Sequence, residues 1–169
     1  SPIEAITTRE IHMLGILLRR PDLIDHIDRL LQEDGLTRIN SQDFQQSDHQ
    51  LLFKLVRDSL HQVDIEPLYY VLNHLPEAIM PLADTILAKT EKVNVQDLNV
   101  LEDLLRALLK LRSTGINQQL THLRILQESA QEQGDIKAQD YQNAMSKYAI
   151  LLGRLHRAQS RFSDHSLSN

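Results

Sequence analysis

Eight histidines are the side chains in this chain with the most versatile chemistry, since an imidazole can bind a metal ion or transfer a proton near neutral pH. A helical protein commonly holds a metal with two histidines four residues apart on one helix face, or with repeated Glu-x-x-His pairs. The sequence has no His-x-x-x-His pair and no repeated Glu-x-x-His pair. We therefore expect the histidines to lie on helix surfaces and ends, with no metal site and no bound cofactor.

An acidic ridge, made of Asp22, Asp25 and Asp28 with His26 between them, could form a carboxylate site. Carboxylates near the start of a helix more often stabilise the helix dipole, and we favour that interpretation. A small helical-bundle enzyme that uses His26 or His49 with nearby carboxylates remains an alternative. A pocket that brings these groups together would distinguish it.

The usual nucleotide-binding and nucleophile motifs do not occur in this sequence. It has no Gly-x-x-x-x-Gly-Lys-Ser/Thr loop, no Gly-x-Gly-x-x-Gly and no Gly-x-Ser-x-Gly. With no cysteine there is no disulfide, thiolate zinc site or cysteine nucleophile, which fits a reducing compartment. No apolar run approaches the roughly 18 residues that span a bilayer, and no signal pattern is present. We predict a cytoplasmic chain with no catalytic residues.

The composition favours an all-α fold. Aromatic residues make up 4% of the chain, tryptophan is absent and leucine is abundant, as expected for helices packed on helices. We predict a small N-terminal helical bundle at residues 1–93, a long C-terminal antiparallel helical hairpin at 94–162 and a disordered tail at 163–169. The bundle contains five or six short helices and no strand.

Local start signals set the predicted helix boundaries. Thr7–Glu10 and Ser47–Gln50 have the Ser/Thr-x-x-Glu/Gln form of a capping box. Pro21 is suited to opening a second helix, Asp64 to capping a fourth, and Pro76 or Pro81 to opening the next.

Two apolar seams at helical spacing predict the hairpin, with a turn at Gln133-Gly134-Asp135. The first arm begins near Val95, and Ser113-Thr114-Gly115 is a candidate kink within it. We expect the two seams to bury each other along their whole length. The first seam is Leu98, Leu101, Leu105, Leu108, Ile116, Leu120, Leu123 and Leu126, and the second is Tyr141, Met145, Tyr148, Leu152, Leu155 and Phe162.

Charge is distributed unevenly along the chain. Residues 1–93 carry nine Lys and Arg against fifteen Asp and Glu, whereas residues 94–169 carry nine against eight. At about 100° per residue, one face of the last helix collects a basic stripe opposite the seam. This stripe is Lys147, Ile150, Arg154, Arg157 and Arg161 with the flanking Leu151.

The basic stripe has two interpretations, a solvated face or a docking surface for an acidic partner. An exposed isoleucine among positive charges, with no acidic residue between Tyr141 and Phe162, favours docking. Nucleic acid is a less favoured partner because the whole chain has a net charge of -5.

Two segments resemble a small helical bundle found in bacterial replication proteins. The first segment is Leu17-Leu18-Arg19-Arg20-Pro21-Asp22-Leu23-Ile24, and the second is Phe44 followed by His49-Gln50-Leu51-Leu52-Phe53-Lys54-Leu55-Val56. The bundle they look like is shared by two domains. These are the C-terminal helicase-binding domain of DnaG-type primases and the N-terminal domain of the DnaB-type replicative helicase. Leu108-Leu109-Lys110-Leu111-Arg112, which leads into a long hairpin, is similar to the primase version.

The resemblance implies a non-catalytic fragment of a primase, with the zinc module and polymerase core lying upstream. Its expected partner is the hexameric helicase. The resemblance implies that the bundle modulates the helicase and that the terminal hairpin anchors the primase to it, which recruits primase to the replication fork. Contact candidates carried over are the stripe residues between Lys147 and Arg161, and no direct contact with nucleic acid is expected. The helicase's own N-terminal domain is the alternative within the same class, and the end of the chain after the hairpin counts against it.

Overall fold

The computed structural model describes the backbone of residues 1–167 and the side chains of residues 1–162. Over this range the chain is helical with no strand, which confirms the all-α prediction. It divides into two compact units, unit 1 at Ser1–Leu108 and unit 2 at Leu109–Asn169. In the part that the structure describes, no helix combines the length and apolar composition needed to cross a membrane.

Unit 1 contains five helices and the start of a sixth. In chain order they are α1 (Pro2–Arg19), α2 (Leu23–Glu33), α3 (Ser47–Ser59), α4 (Pro67–His74), α5 (Met80–Lys89) and α6 (Val100–Glu132), with short 3-10 turns at Ser41–Asp43 and Glu77–Ile79. Helix α1 packs against α3, α4 and α5. The fully buried core includes Met13, Leu14, Ile16, Leu17, Ile24, Ile27, Leu31, Phe44, Leu52 and Phe53.

Helix α1 begins earlier than the sequence predicted. Ser1 is its N-cap and accepts a hydrogen bond from the Glu4 backbone N–H, and Glu4 completes the capping box. Thr7–Glu10, the predicted box, therefore lies inside the helix, and Glu10 is buried. The prediction was wrong because Ser1 to Glu4 satisfies the same motif one and a half turns earlier, with a proline at the first helical position.

Two further start signals act differently from the prediction. Helix α3 begins at Ser47 as expected, but the predicted box does not form, since the Gln50 side chain donates to the Phe44 carbonyl at 2.8 Å. Helix α4 follows Glu66, so Asp64 is not its cap.

The boundary between the units falls inside α6, between Leu108 and Leu109. The sequence pattern placed it before this helix, at residue 93. The first turns of α6 bury Leu104, Leu105 and Leu108 in unit 1. His12 Nε2 and Asp103 Oδ2 lie 2.7 Å apart and link these turns to α1. Helix α6 starts at Val100, and Leu98, expected in the seam, lies before it with 96% of its surface exposed.

Unit 2 comprises the rest of α6 and α7 (Lys137–Leu167), joined by the predicted turn. Gly134 has φ +65°, a left-handed conformation that glycine adopts without strain, and Asp135 Oδ1 accepts from the Lys137 N–H at the start of α7. Helix α6 is continuous through Gly115, within the segment that the sequence marked as a candidate kink. The backbone of α7 is helical through Leu167 rather than disordered from Ser163, and residues 168 and 169 lie outside the described part.

Contacts between α6 and α7 within unit 2 follow the order of antiparallel helices. Gln127 Nε2 donates to Gln142 Oε1 at 2.6 Å near the turn, and Gln159 Nε2 lies 3.5 Å from Ser113 Oγ further from it. The seam between them is only partly closed. Ile116, Leu155 and Phe162 are buried, whereas Leu120, Leu123, Leu126, Tyr141, Met145, Tyr148 and Leu152 are half-buried.

The prediction that the two seams pack along their whole length is therefore met only in part, since most seam residues of unit 2 are half-buried and not fully buried. Two helices can cover only one stripe of each other, so large side chains at the seam keep an open flank unless a third element packs there.

Candidate protein-interaction site

The basic stripe lies on the solvent-facing side of α7. Ile150 has 62% of its surface exposed and Leu151 36%, and the four cationic residues Lys147, Arg154, Arg157 and Arg161 are exposed as well. The structure thus brings all six predicted contact residues onto one helix and leaves them accessible.

The rotation of α7 follows from its buried residues. Leu155, Ala158 and Phe162 are almost fully buried, and they mark the buried side of the C-terminal half of the helix. At about 100° per residue, Lys147, Ile150, Arg154, Arg157 and Arg161 lie on a flank of the helix roughly 50 to 130° from the centre of that side, and Leu151 lies next to it. The helical spacing of apolar residues is sufficient to predict this orientation.

Two of the arginines lie along the helix surface. A Cβ built on Gly153 would be 3.7 Å from Arg157 Nη1, so this guanidinium reaches back across the space that glycine leaves. The Arg161 guanidinium carbon lies 5.7 Å from the centre of the Phe162 ring, within the range of a cation–π contact.

Three cations of the stripe, Lys147, Arg154 and Arg157, form no ion pair among the side chains that the structure describes. Residues 109–127 and 141–162 contain no Asp or Glu, and their cationic residues are Lys110, Arg112, Arg124, Lys147, Arg154, Arg157 and Arg161. A positive potential is therefore concentrated on unit 2. Division of the chain at residue 94, as the sequence suggested, counted the acidic start of α6 with the second part, which hid this contrast.

The acidic ridge on α2 has structural contacts. Asp22 pairs with Arg20 through two hydrogen bonds, at 3.0 Å and 2.8 Å, and the hydrogen bond from Arg20 holds the pKa of Asp22 below its usual value. Asp28 Oδ1 accepts from the Ile39 N–H at 2.8 Å and so fixes the loop after α2. Asp25 and His26 are exposed.

The most unusual polar contact is a buried pair that the sequence interpretation did not identify. Glu10 on α1 is 0% exposed and His49 on α3 is 1% exposed, with Oε1 and Nδ1 2.7 Å apart. The other carboxylate oxygen of Glu10 accepts from the Gln45 N–H at 2.8 Å. One signal was available, since Glu10 lies at a core position of α1, four residues after Ile6 and four before Leu14.

The buried location of this pair bears on the enzyme alternative. Both side chains are closed to solvent, and His49 Nε2 has no hydrogen-bond partner in the described part of the chain. His26 lies on a different helix and is exposed. In this conformation His49 and Glu10 hold α1 against α3, and neither can meet a substrate.

Unit 1 also carries a surface groove of about 540 Å³, here called the α4 groove. Its lining residues are Leu18, Arg19, Pro21, Asp22, Leu60, Glu66, Pro67, Leu68 and Tyr69. Neither His26 nor His49 lines this groove, so it is not the pocket that the enzyme alternative requires. Among the described residues, no group of three His, Asp or Glu side chains is placed to hold a metal ion.

Comparison with known proteins adds no relative from which a role could be transferred. No protein-family model matches the chain, and no similar protein was found among curated sequences or solved structures. The functional argument therefore depends on the resemblance of the two bundle segments and on the placement of the basic stripe.

Proposed function

We propose that this chain is the helicase-binding domain of a bacterial DnaG-type primase, with a helical bundle followed by an antiparallel helical hairpin. In this role it docks on the N-terminal domains of the hexameric DnaB-type helicase in the cytoplasm, recruits primase to the replication fork and modulates the helicase. The observation that carries the proposal is the exposed pair Ile150 and Leu151, surrounded by cations on a helix face with no acidic residue.

The placement of the segments on which the resemblance depends supports the bundle part of the proposal. Leu17, Leu18, Leu23 and Ile24 of the first segment are buried, as are Phe44, Leu52, Phe53 and Val56 of the second. The Phe44 and Phe53 rings stack with their centres 5.3 Å apart. Residues that carry the likeness thus form the core of unit 1, as a shared fold requires.

The stripe has the arrangement of a protein-binding surface. Such surfaces place apolar side chains at the centre, where water is excluded, and charged side chains at the rim. Ile150 and Leu151 can provide the centre, and Lys147, Arg154 and Arg157 the rim. Arginine is enriched at such positions, and cations facing an acidic partner accelerate encounter.

The test is calorimetric titration of the chain against the purified replicative helicase of the same organism. Ile150→Asp should weaken binding at least tenfold, because it introduces an unpaired charge at the dry centre of the contact. Ile125→Asp is a matched control, since Ile125 lies on α6 with 61% of its surface exposed, close to the 62% of Ile150. Unchanged affinity in the Ile150→Asp variant would exclude the stripe as the anchor.

A reversal of charge at Arg154 and Arg157 should act mainly on the association rate. Rim charges steer encounter, so this variant should associate more slowly and with less dependence on salt. Surface plasmon resonance at two salt concentrations measures both effects. The acidic ridge variants Asp25→Asn and Asp28→Asn would instead lose binding if unit 1 were the main contact.

A further inference from the structure

A stretch of unit 1 mirrors the acid-free stretch of α7. Residues 58–88 contain no Lys or Arg, and their acidic residues are Asp58, Asp64, Glu66, Glu77 and Asp84. This stretch includes α4, the loop before α4, and α5 up to its last residue, Lys89. One chain thus carries an acidic segment without cations and a basic segment without acids.

The α4 groove opens beside this acidic stretch and has an apolar wall. Leu60, Pro67 and Leu68 line it, together with Tyr69, which has 63% of its surface exposed. Val63 and Ile65, in the loop before α4, are also exposed large apolar residues. Exposed apolar side chains concentrated within seven residues mark a contact surface more than a solvated one.

The carboxylates of Glu66 and Asp64 favour a cationic occupant. Arg19 also lines the groove and keeps its positive charge, although its guanidinium donates to the carbonyls of Gly15 and Leu87 and to Thr90 Oγ1. The carboxylate of Asp22 is likewise engaged by Arg20. The carboxylate of Glu66 has no partner within the described part of the chain, and the same is true of nearby Asp64.

We propose that a second copy of this chain covers the α4 groove with its basic stripe. Ile150 and Leu151 of one copy meet the apolar wall of the other, and Arg154 and Arg157 meet Glu66 and Asp64. The match of charge and apolar character on both surfaces selects this occupant. The proposal does not depend on the helicase, although it uses the same stripe, so self-association and partner binding would compete.

A contact between two different surfaces has a specific consequence for assembly. It leaves a free groove on one copy and a free stripe on the other, so further copies can add until a ring closes. A contact between one helix face and one groove buries a small area, and we expect a weak, concentration-dependent association.

Sedimentation velocity over a concentration series tests this with two variants of the full chain. The groove variant is Asp64→Lys with Glu66→Lys, and the stripe variant is Arg154→Glu with Arg157→Glu. Each should sediment as a monomer alone, since each lacks one half of the contact. A mixture should associate, because the intact stripe of the first meets the intact groove of the second and the two reversed surfaces are also complementary.

Matched controls separate this contact from general charge effects. Glu77→Lys with Asp84→Lys makes the same charge change in the same stretch away from the groove, and should associate as the parent does. Tyr69→Ala, which changes no charge, should weaken association. Circular dichroism verifies that every variant is folded.

Two outcomes would overturn the proposal. One is a parent chain that stays monomeric at every concentration, and the other is a mixture of folded groove and stripe variants that does not associate. The groove variant keeps its stripe and should still bind helicase, so a failure of helicase binding is distinguishable from a failure of self-association.

Discussion

The two units place their charged and apolar groups in opposite ways. Unit 1 buries Glu10 against His49 and closes a core of fully buried large side chains around them. Unit 2 leaves its seam half-open, and on α7 it presents Lys147, Arg154 and Arg157, which form no ion pair among the described side chains. The comparison shows that a histidine and a carboxylate lie buried between α1 and α3 in unit 1, while exposed cations lie in the unit with the less complete core.

The largest expected effect is the loss of one partner of the buried pair. Glu10→Leu leaves His49 buried without its hydrogen-bond partner and should destabilise unit 1 by about 3 kcal/mol. Urea denaturation measures this loss. The double variant Glu10→Leu/His49→Leu should be less damaging than the single one, since it leaves no buried imidazole, and a double variant that is worse than the single one would contradict this.

Leucine truncations on α7 examine how complete the core of unit 2 is. Leu155→Ala should cost about 3 kcal/mol because the side chain is buried, whereas Leu152→Ala, at a half-buried position, should cost about 1 kcal/mol. Thermal unfolding followed by circular dichroism compares the two. Equal losses would mean that the seam is closed in solution at both positions.

The same substitution at two glycines should have opposite signs in the two units. Gly15→Ala places a Cβ against the side chain of Thr90 and should destabilise unit 1 by about 2 kcal/mol. Gly115→Ala meets no atom within 4 Å and should stabilise α6 by up to about 1 kcal/mol, as helix propensity predicts. Denaturation midpoints of the two variants decide the matter, and a stable Gly15→Ala variant would show that α1 and Thr90 can separate.

The smallest effect expected is the dependence of stability on Asp22 protonation. The pKa of Asp22 is lower in the folded chain than its ordinary value of 3.8, so its pairing with Arg20 contributes fully above that pH. The contribution is lost as the pH falls below 3.8 towards the folded value. Because the Asp22 side chain has 55% of its surface exposed, solvent screens the pair and the contribution should amount to less than about 1 kcal/mol. Asp22→Asn should remove that part of the acid dependence.

The sequence was informative where one local cause decides the structure. The turn at Gly134 and the outward face of α7 followed from a glycine and from helical spacing. Helix starts were less certain, since Ser1 to Glu4 and Thr7 to Glu10 carry the same motif and only packing selects between them. Whether the stripe binds a partner stays a prediction.

Long-range polar contacts were the part that could not be predicted. His49 lies 39 residues from Glu10, and no local pattern links the two side chains. How far the seam is covered also depends on the number of helices around it. The spacing of apolar residues gives the direction of the seam but not that number. The charge contrast between units became clear only once the start of α6 was placed in unit 1.

The burial of His49 also makes it a natural reporter of how often unit 1 opens. Among the histidines whose side chains the structure describes, the others are exposed or half-exposed, while this ring is closed to solvent. A reagent that acylates imidazole would modify the accessible rings at once and reach His49 only during transient opening. The rate of His49 labelling, measured by mass spectrometry, would therefore report how often unit 1 opens. A faster rate in a variant would show that protection is lost at the contact between α1 and α3.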